Sequence, residues 1–304
     1  MPQPHSSTVA IRRRLARRLP AAAVGTAVLI GTALRAGAGL PAWTSSGPAG
    51  ANLQALAIAP TDGQVLYAAA VRGAFRSTDG AQSWQGAVIA PEFTRAVAVD
   101  STDAMVVYFG QSTGIIKSTD GGVSGEPAND GLTSTSVFAL AVAPANPQVV
   151  LAGAAGGVFR STNGGTTWTP ANDGLAAGSF GAFAFDPADS QIVYTGSDRV
   201  FRSSNGGMSW EEASTGLSVS TVHSLTVDPT DSMVVYAGLS SALFKSVTGA
   251  AAWERMDDGI EHSNGVRGIA VDPQNPQTVY ACVANRGCYK SATGGDLWAP
   301  RTAA

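Results

Sequence analysis

Charge is scarce in this chain of 304 residues: only 13% are Asp, Glu, Lys or Arg, against 44% hydrophobic. That balance excludes a disordered, self-solvating polymer. Histidine is scarcer still, and with His5 in the N-terminal segment only His223 and His262 remain, too few for a histidine-rich metal cluster. The two cysteines, Cys282 and Cys288, form a C-x5-C pair without a histidine beside it, a poor zinc site. No metal and no cofactor are expected. Helical periodicity is absent at any length, and the apolar run at residues 21–34 is too short to span a bilayer comfortably.

What the chain has instead is turn formers, 36 glycines and 16 prolines, in an ordered, turn-rich protein long enough to bury a substantial core. The first 38 residues stand apart. "IRRRLARR" gives a basic start, "AAAVGTAVLIGTAL" an apolar run and Ala36-Gly37-Ala38 a small-x-small ending, the order of a secretory signal peptide cleaved after Ala38. An uncleaved membrane anchor is the alternative. Six of the 19 basic residues and no acid fall in that segment, so residues 39–304 hold 13 basic against 22 acidic residues, net −9. An acidic, exported (periplasmic or extracellular) protein is expected, and nonspecific nucleic-acid binding is not.

Internal repetition explains most of the rest. "GAFRSTDGAQSW", "GIIKSTDGGVSG", "GVFRSTNGGTTW", "RVFRSSNGGMSW", "ALFKSVTGAAAW" and "GCYKSATGGDLW" align on Ser77, Ser118, Ser161, Ser203, Ser246 and Ser291, spaced by 41 to 45 residues. Seven positions after each serine stand Trp84, Gly125, Trp168, Trp210, Trp253 and Trp298, so one copy lacks its tryptophan. Before each copy come two short Val-, Tyr- and Phe-rich runs joined by a Pro- or Asp-containing turn, as in "AFAFDPADSQIVYTG". Each unit therefore reads as four strands, A to D, with D starting at the tryptophan. An all-β fold is predicted over residues 39–304: a single β-propeller of six four-stranded blades. Trp43 lies 41 residues before Trp84, in phase with the series, as an extra D strand; seven positions in the ring is the alternative.

The motif resembles the Asp box, or BNR repeat, of sialidases, sortilin-type receptors, xyloglucanases and photosystem II assembly factors. Ser77-Thr78-Asp79 and Ser118-Thr119-Asp120 match its start, Asn163 and Asn205 replace the aspartate, and Thr248 and Thr293 depart further. The resemblance implies the propeller but hardly a function, because the family hosts hydrolases, receptors and assembly factors. Locally, Asp or Asn is expected to hold turn amides, the following glycine to take a left-handed backbone, and the tryptophan to wedge between blades.

The resemblance also makes glycoside hydrolysis a reading to weigh. Tyr67, Tyr108, Tyr194, Tyr236 and Tyr280 share one strand B position and Tyr289 an aromatic slot of strand C, so no tyrosine is left as a sialidase-type nucleophile. The sialidase Phe/Tyr-Arg-Ile-Pro stretch is missing, and xyloglucanases draw one catalytic carboxylate from each of two propellers. Glu211-Glu212, Asp257-Asp258 and Glu261 are the remaining carboxylates for a catalytic pair, yet neighbours on a strand point to opposite faces. No catalytic residue is assigned. Asp100, Asp186, Asp228 and Asp272 after strand A read as turn residues rather than calcium ligands.

Six basic residues, Arg76, Lys117, Arg160, Arg202, Lys245 and Lys290, precede the repeat serine and are expected to pair with nearby acids. The arginines that break the repeat are Arg72, Arg199 and Arg286 in B to C turns, and Arg95 and Arg267 at the start of strand A, all expected on one face. Arg95 and Arg267 share a register with Gln54, Phe138, Gly181 and His223 around the channel mouth. Arg72, Arg95, Arg199, His223, Arg267 and Arg286 are thus the candidate binding residues, presenting an anion- or carboxylate-binding surface to a protein partner, as photosystem II assembly factors present an arginine patch to theirs. Pairing with acids of the D to A loops is the competing reading. A carbohydrate ligand or an envelope structural role are the alternatives, with membrane contact only through an uncleaved signal segment. Cys282 and Cys288, at opposite ends of one hairpin, are expected to form a disulfide in an oxidising compartment.

Overall fold

The structure is a computed structural model that describes residues 47–48, 51–87, 92–261 and 265–301. The signal segment, Trp43 and His262 lie outside them. Every regular element among the described residues is a strand, and the strands form six antiparallel four-stranded sheets. Blade 1 comprises β1 (Leu53–Ala59), β2 (Asp62–Ala70), β3 (Gly73–Ser77) and β4 (Gln85–Ala87). Blade 2 comprises β5 (Thr94–Val99), β6 (Val107–Gln111), β7 (Gly114–Ser118) and β8 (Glu126–Pro127), and blade 3 β9 (Val137–Ala143), β10 (Asn146–Ala154), β11 (Gly157–Ser161) and β12 (Thr169–Pro170). Blade 4 comprises β13 (Ala182–Phe185), β14 (Val193–Gly196), β15 (Val200–Ser203) and β16 (Glu211–Glu212). Blade 5 comprises β17 (Val222–Asp228), β18 (Asp231–Leu239), β19 (Leu243–Ser246) and β20 (Glu254–Arg255), and blade 6 β21 (Val266–Val271), β22 (Val279–Val283), β23 (Gly287–Ser291) and β24 (Trp298–Arg301). Consecutive strands pair within each sheet, and the first strands of successive blades lie side by side, the arrangement of a six-bladed β-propeller.

Alternation along each strand gives every blade two apolar faces. One face of β5 carries Val97 and Val99, which pack onto Ala55, Ala57 and Tyr67 of blade 1; the other carries Ala96 and Ala98, which pack onto Leu140 and Val142 of blade 3. Small residues on one face against large ones on the next fill the wedge between diverging sheets. Five apolar clusters of this kind join blades 1 to 2, 2 to 3, 3 to 4, 4 to 5 and 5 to 6.

The repeat serine is buried in all six copies and knots the turn. The Ser161 hydroxyl donates to Asn163 Oδ1 at 2.9 Å and accepts the Gly165 amide at 2.8 Å, while Asn163 Oδ1 accepts the Thr167 amide at 2.9 Å. In the divergent copies a hydroxyl substitutes for the amide or carboxylate: Thr248 Oγ1 accepts the Ala252 amide at 3.0 Å and Thr293 Oγ1 the Leu297 amide at 3.1 Å. The glycine after this residue has φ between 62° and 75° in every copy, the left-handed region that glycine tolerates best.

Candidate functional site

Most of the polar residues that recur are consumed by the scaffold. In three of the six copies the basic residue before the serine does not seek an acid, as the sequence suggested, but reaches across to a glycine carbonyl of the next blade. Lys117 Nζ donates to the Gly164 carbonyl at 2.7 Å, Arg160 Nε to Gly206 at 2.8 Å and Lys245 Nζ to Gly294 at 2.8 Å. Tyr108 and Tyr236 donate to the same carbonyls, both at 2.9 Å, and burial pushes their phenols well above the ordinary value. They are held neutral as structural donors, not poised as nucleophiles. Asp100, Asp186, Asp228 and Asp272 each accept the amide two residues on, closing the turn after the first strand.

The repeat-breaking residues gather differently. In blades 2, 5 and 6, Arg95, His223 and Arg267 stand near the start of the innermost strand, joined by Gln54 and Phe138 in blades 1 and 3, while Gly181 lies just before β13 of blade 4. The Arg95 guanidinium stacks 4.7 Å from the Phe93 ring centroid and 5.0 Å from that of Phe138. Two aromatic faces fix its plane and leave its N–H edge available. Phe93, two residues before Arg95, was not singled out from the sequence; an aromatic at alternate spacing to an arginine is the signal it carried.

Arg267 Nη1 donates to His223 Nδ1 at 3.1 Å, and His223 Nε2 lies 2.7 Å from Ser240 Oγ. A guanidinium has no acceptor, so Nδ1 carries the lone pair and the proton sits on Nε2, facing the serine. Burial, with Arg267 adding to it, pulls the imidazole down to about 4. The pair thus carries a single positive charge, on Arg267, at neutral pH.

The other three candidates separate. Arg199 bonds Glu212 at 2.6 Å and Arg286 lies 3.5 Å from Glu261, so the pairing reading holds for both. The second contact also puts a B to C turn beside a D to A loop. Arg72 is exposed at the β2 to β3 turn. Of the carboxylates weighed for catalysis, Glu212 is taken by Arg199 and Asp257 by Arg255 at 2.7 Å, while Glu211, Asp258 and Glu261 are exposed. Cys282 and Cys288 pair directly across the β22 to β23 hairpin and are joined in a disulfide, Cα to Cα 4.1 Å.

No protein-family model and no curated protein matches the chain. Solved structures do. A GH74 xyloglucanase from Xanthomonas campestris superposes with TM-score 0.69 at 22% identity over 83% of this chain, which spans 45% of that enzyme's length. YCF48 from Cyanidioschyzon merolae gives TM-score 0.64 at 15% identity, covering 85% of this chain and 87% of its own. YCF48 bound to D1 peptide gives 0.60 at 15%, covering 89% and 85%. At these identities the likeness extends to the fold, and the fold is shared by an enzyme and by a peptide-binding protein.

Proposed function

We propose that this chain is a non-enzymatic propeller of Asp-box repeats, exported by its N-terminal segment, that captures a protein partner at the channel mouth through a carboxylate or other anionic group. The observation that carries the reading is the state of Arg95 and Arg267. Both are ordered by neutral neighbours, two phenyl rings and an uncharged imidazole, and among the described residues neither is paired with a carboxylate. An arginine positioned in advance and left without a counterion binds an anion with little ordering cost. YCF48, of similar fold and nearly equal extent, has been seen with a peptide bound.

The test is capture of partners from the native envelope extract by wild type and by the Arg95→Glu, Arg267→Glu double variant. The reading expects specific capture that the double variant loses while its melting curve is unchanged. Equal capture by both overturns it. Release of reducing sugar from a glycoside panel, persisting through purification, would overturn it in favour of the hydrolase reading.

A further inference from the structure

A tryptophan fastens each of four junctions between blades. Trp168 Nε1 donates to the Ala128 carbonyl at 2.9 Å, Trp210 to Ala171 at 3.0 Å, Trp253 to Ala213 at 2.8 Å and Trp298 to Met256 at 2.8 Å. The main-chain amides of the same four residues add a second bond, to the carbonyls of Asp130, Asp173, Thr215 and Asp258, at 2.8 to 3.0 Å. A buried indole and two hydrogen bonds thus join blades 2 to 3, 3 to 4, 4 to 5 and 5 to 6.

The junction of blades 1 and 2 is built differently. Gly125 takes the tryptophan's place, so there is no indole to bury, and among the described residues Gly125 makes no main-chain bond to blade 1. Ile116 is half-buried there, whereas its counterparts in blades 3 to 6, Phe159, Phe201, Phe244 and Tyr289, are buried. Arg76 Nε is enclosed and bonds nothing, and Arg76 Nη2 meets a weak acceptor, Met105 Sδ, at 3.2 Å. Its counterpart Arg160 Nε reaches the Gly206 carbonyl at 2.8 Å. An enclosed N–H without an acceptor costs stability where a bonded one adds it. What joins blades 1 and 2 is the apolar cluster around Tyr67, Val97, Val99, Val107 and Phe109, with one bond from the Tyr67 hydroxyl to the Ala104 carbonyl at 2.8 Å.

We propose that blade 1 is a detachable element, which parts from blade 2 and returns as a unit while blades 2 to 6 stay folded. Cooperative units of this kind open at a free energy below that of global unfolding, set by the contacts at their boundary. The boundary, not the sheet, is what distinguishes blade 1. Leu66–Ala70 pair with β1 on one side and β3 on the other, as Val150–Ala154 pair with β9 and β11. Parting brings the face of blade 2 that carries Val97, Val99, Val107 and Phe109 into water, an apolar strand face buried in the joined state. Arg95 keeps its stack on Phe138 of blade 3 in both states, so the inference stands independently of what the mouth binds.

The test is amide hydrogen exchange on the full-length chain under native conditions. Leu66–Ala70 should exchange at least about tenfold faster than the matched amides of Val150–Ala154; equal rates overturn the proposal. Two variants tie the difference to the missing indole. Gly125→Trp, at a residue whose φ is not positive, should slow Leu66–Ala70 and leave Val150–Ala154 unchanged. Trp168→Gly, which makes the junction of blades 2 and 3 resemble that of blades 1 and 2, should enlarge the fast unit to take in Val107–Gln111. If the fast unit keeps its extent in Trp168→Gly, the tryptophan does not set what opens and the inference fails, whatever Gly125→Trp does.

Discussion

Asp79 and Asp120 accept hydrogen bonds from the hydroxyl and amide of Ser83 and Ser124 respectively, and these hold both carboxyls at about 2, below the usual 3.8. A folded-state value below the unfolded one stabilises above the unfolded pKa, and the contribution is lost as pH falls from about 4 towards 2. Asn163 makes equivalent contacts without titrating. The Asp79→Asn, Asp120→Asn variant should therefore match wild type in urea unfolding at pH 7 but lose less stability than wild type at pH 2.5; equal losses would contradict this. His223 works in the same direction at higher pH. Held at about 4 against 6.5, it favours folding while neutral, and that contribution fades as pH falls from about 6.5 to 4. NMR titration should place its folded pKa near 4, and a value near 6.5 would mean that the imidazole is not held out of water beside Arg267 as the structure has it.

Between blades, the tryptophan is the element that converts a repeat into a packed wedge. Trp168, Trp210, Trp253 and Trp298 are 2–4% exposed and bond the preceding blade. Trp210→Ala should cost about 3–5 kcal/mol in chemical denaturation, the range for emptying a large aromatic site. Trp84→Ala should cost clearly less, because that ring is only half-buried in the described structure; equal costs would show blade 1 to be covered as fully as the rest. The blades themselves were legible in the sequence because serine, turn residue, glycine and tryptophan recur in fixed register, and the serine and turn residue act on partners within four residues. The basic residues were not. For Lys117, Arg160 and Lys245 the acceptor is a carbonyl 46 to 49 residues away, and no residue type marks a carbonyl as an acceptor.

For the whole molecule, legibility follows the same division. The channel-mouth set could be read from register alone, and Arg267 does meet His223, 44 residues apart. That Arg95 is clamped by Phe93 and Phe138, while Arg199 and Arg286 meet acids, depends on loop paths that the repeat does not encode. Removing the disulfide with Cys282→Ser, Cys288→Ser should lower stability by about 2 kcal/mol, as closing so short a loop predicts, measurable by denaturation with and without reductant.

The central claim is that Arg95 and Arg267 serve recognition rather than the fold. The most direct measurement compares partner capture from the native envelope extract by wild type and by the Arg95→Glu, Arg267→Glu variant, with melting curves recorded on both. Loss of a specifically captured protein with unchanged melting is the predicted result; undiminished capture by the charge-reversed protein would contradict the account.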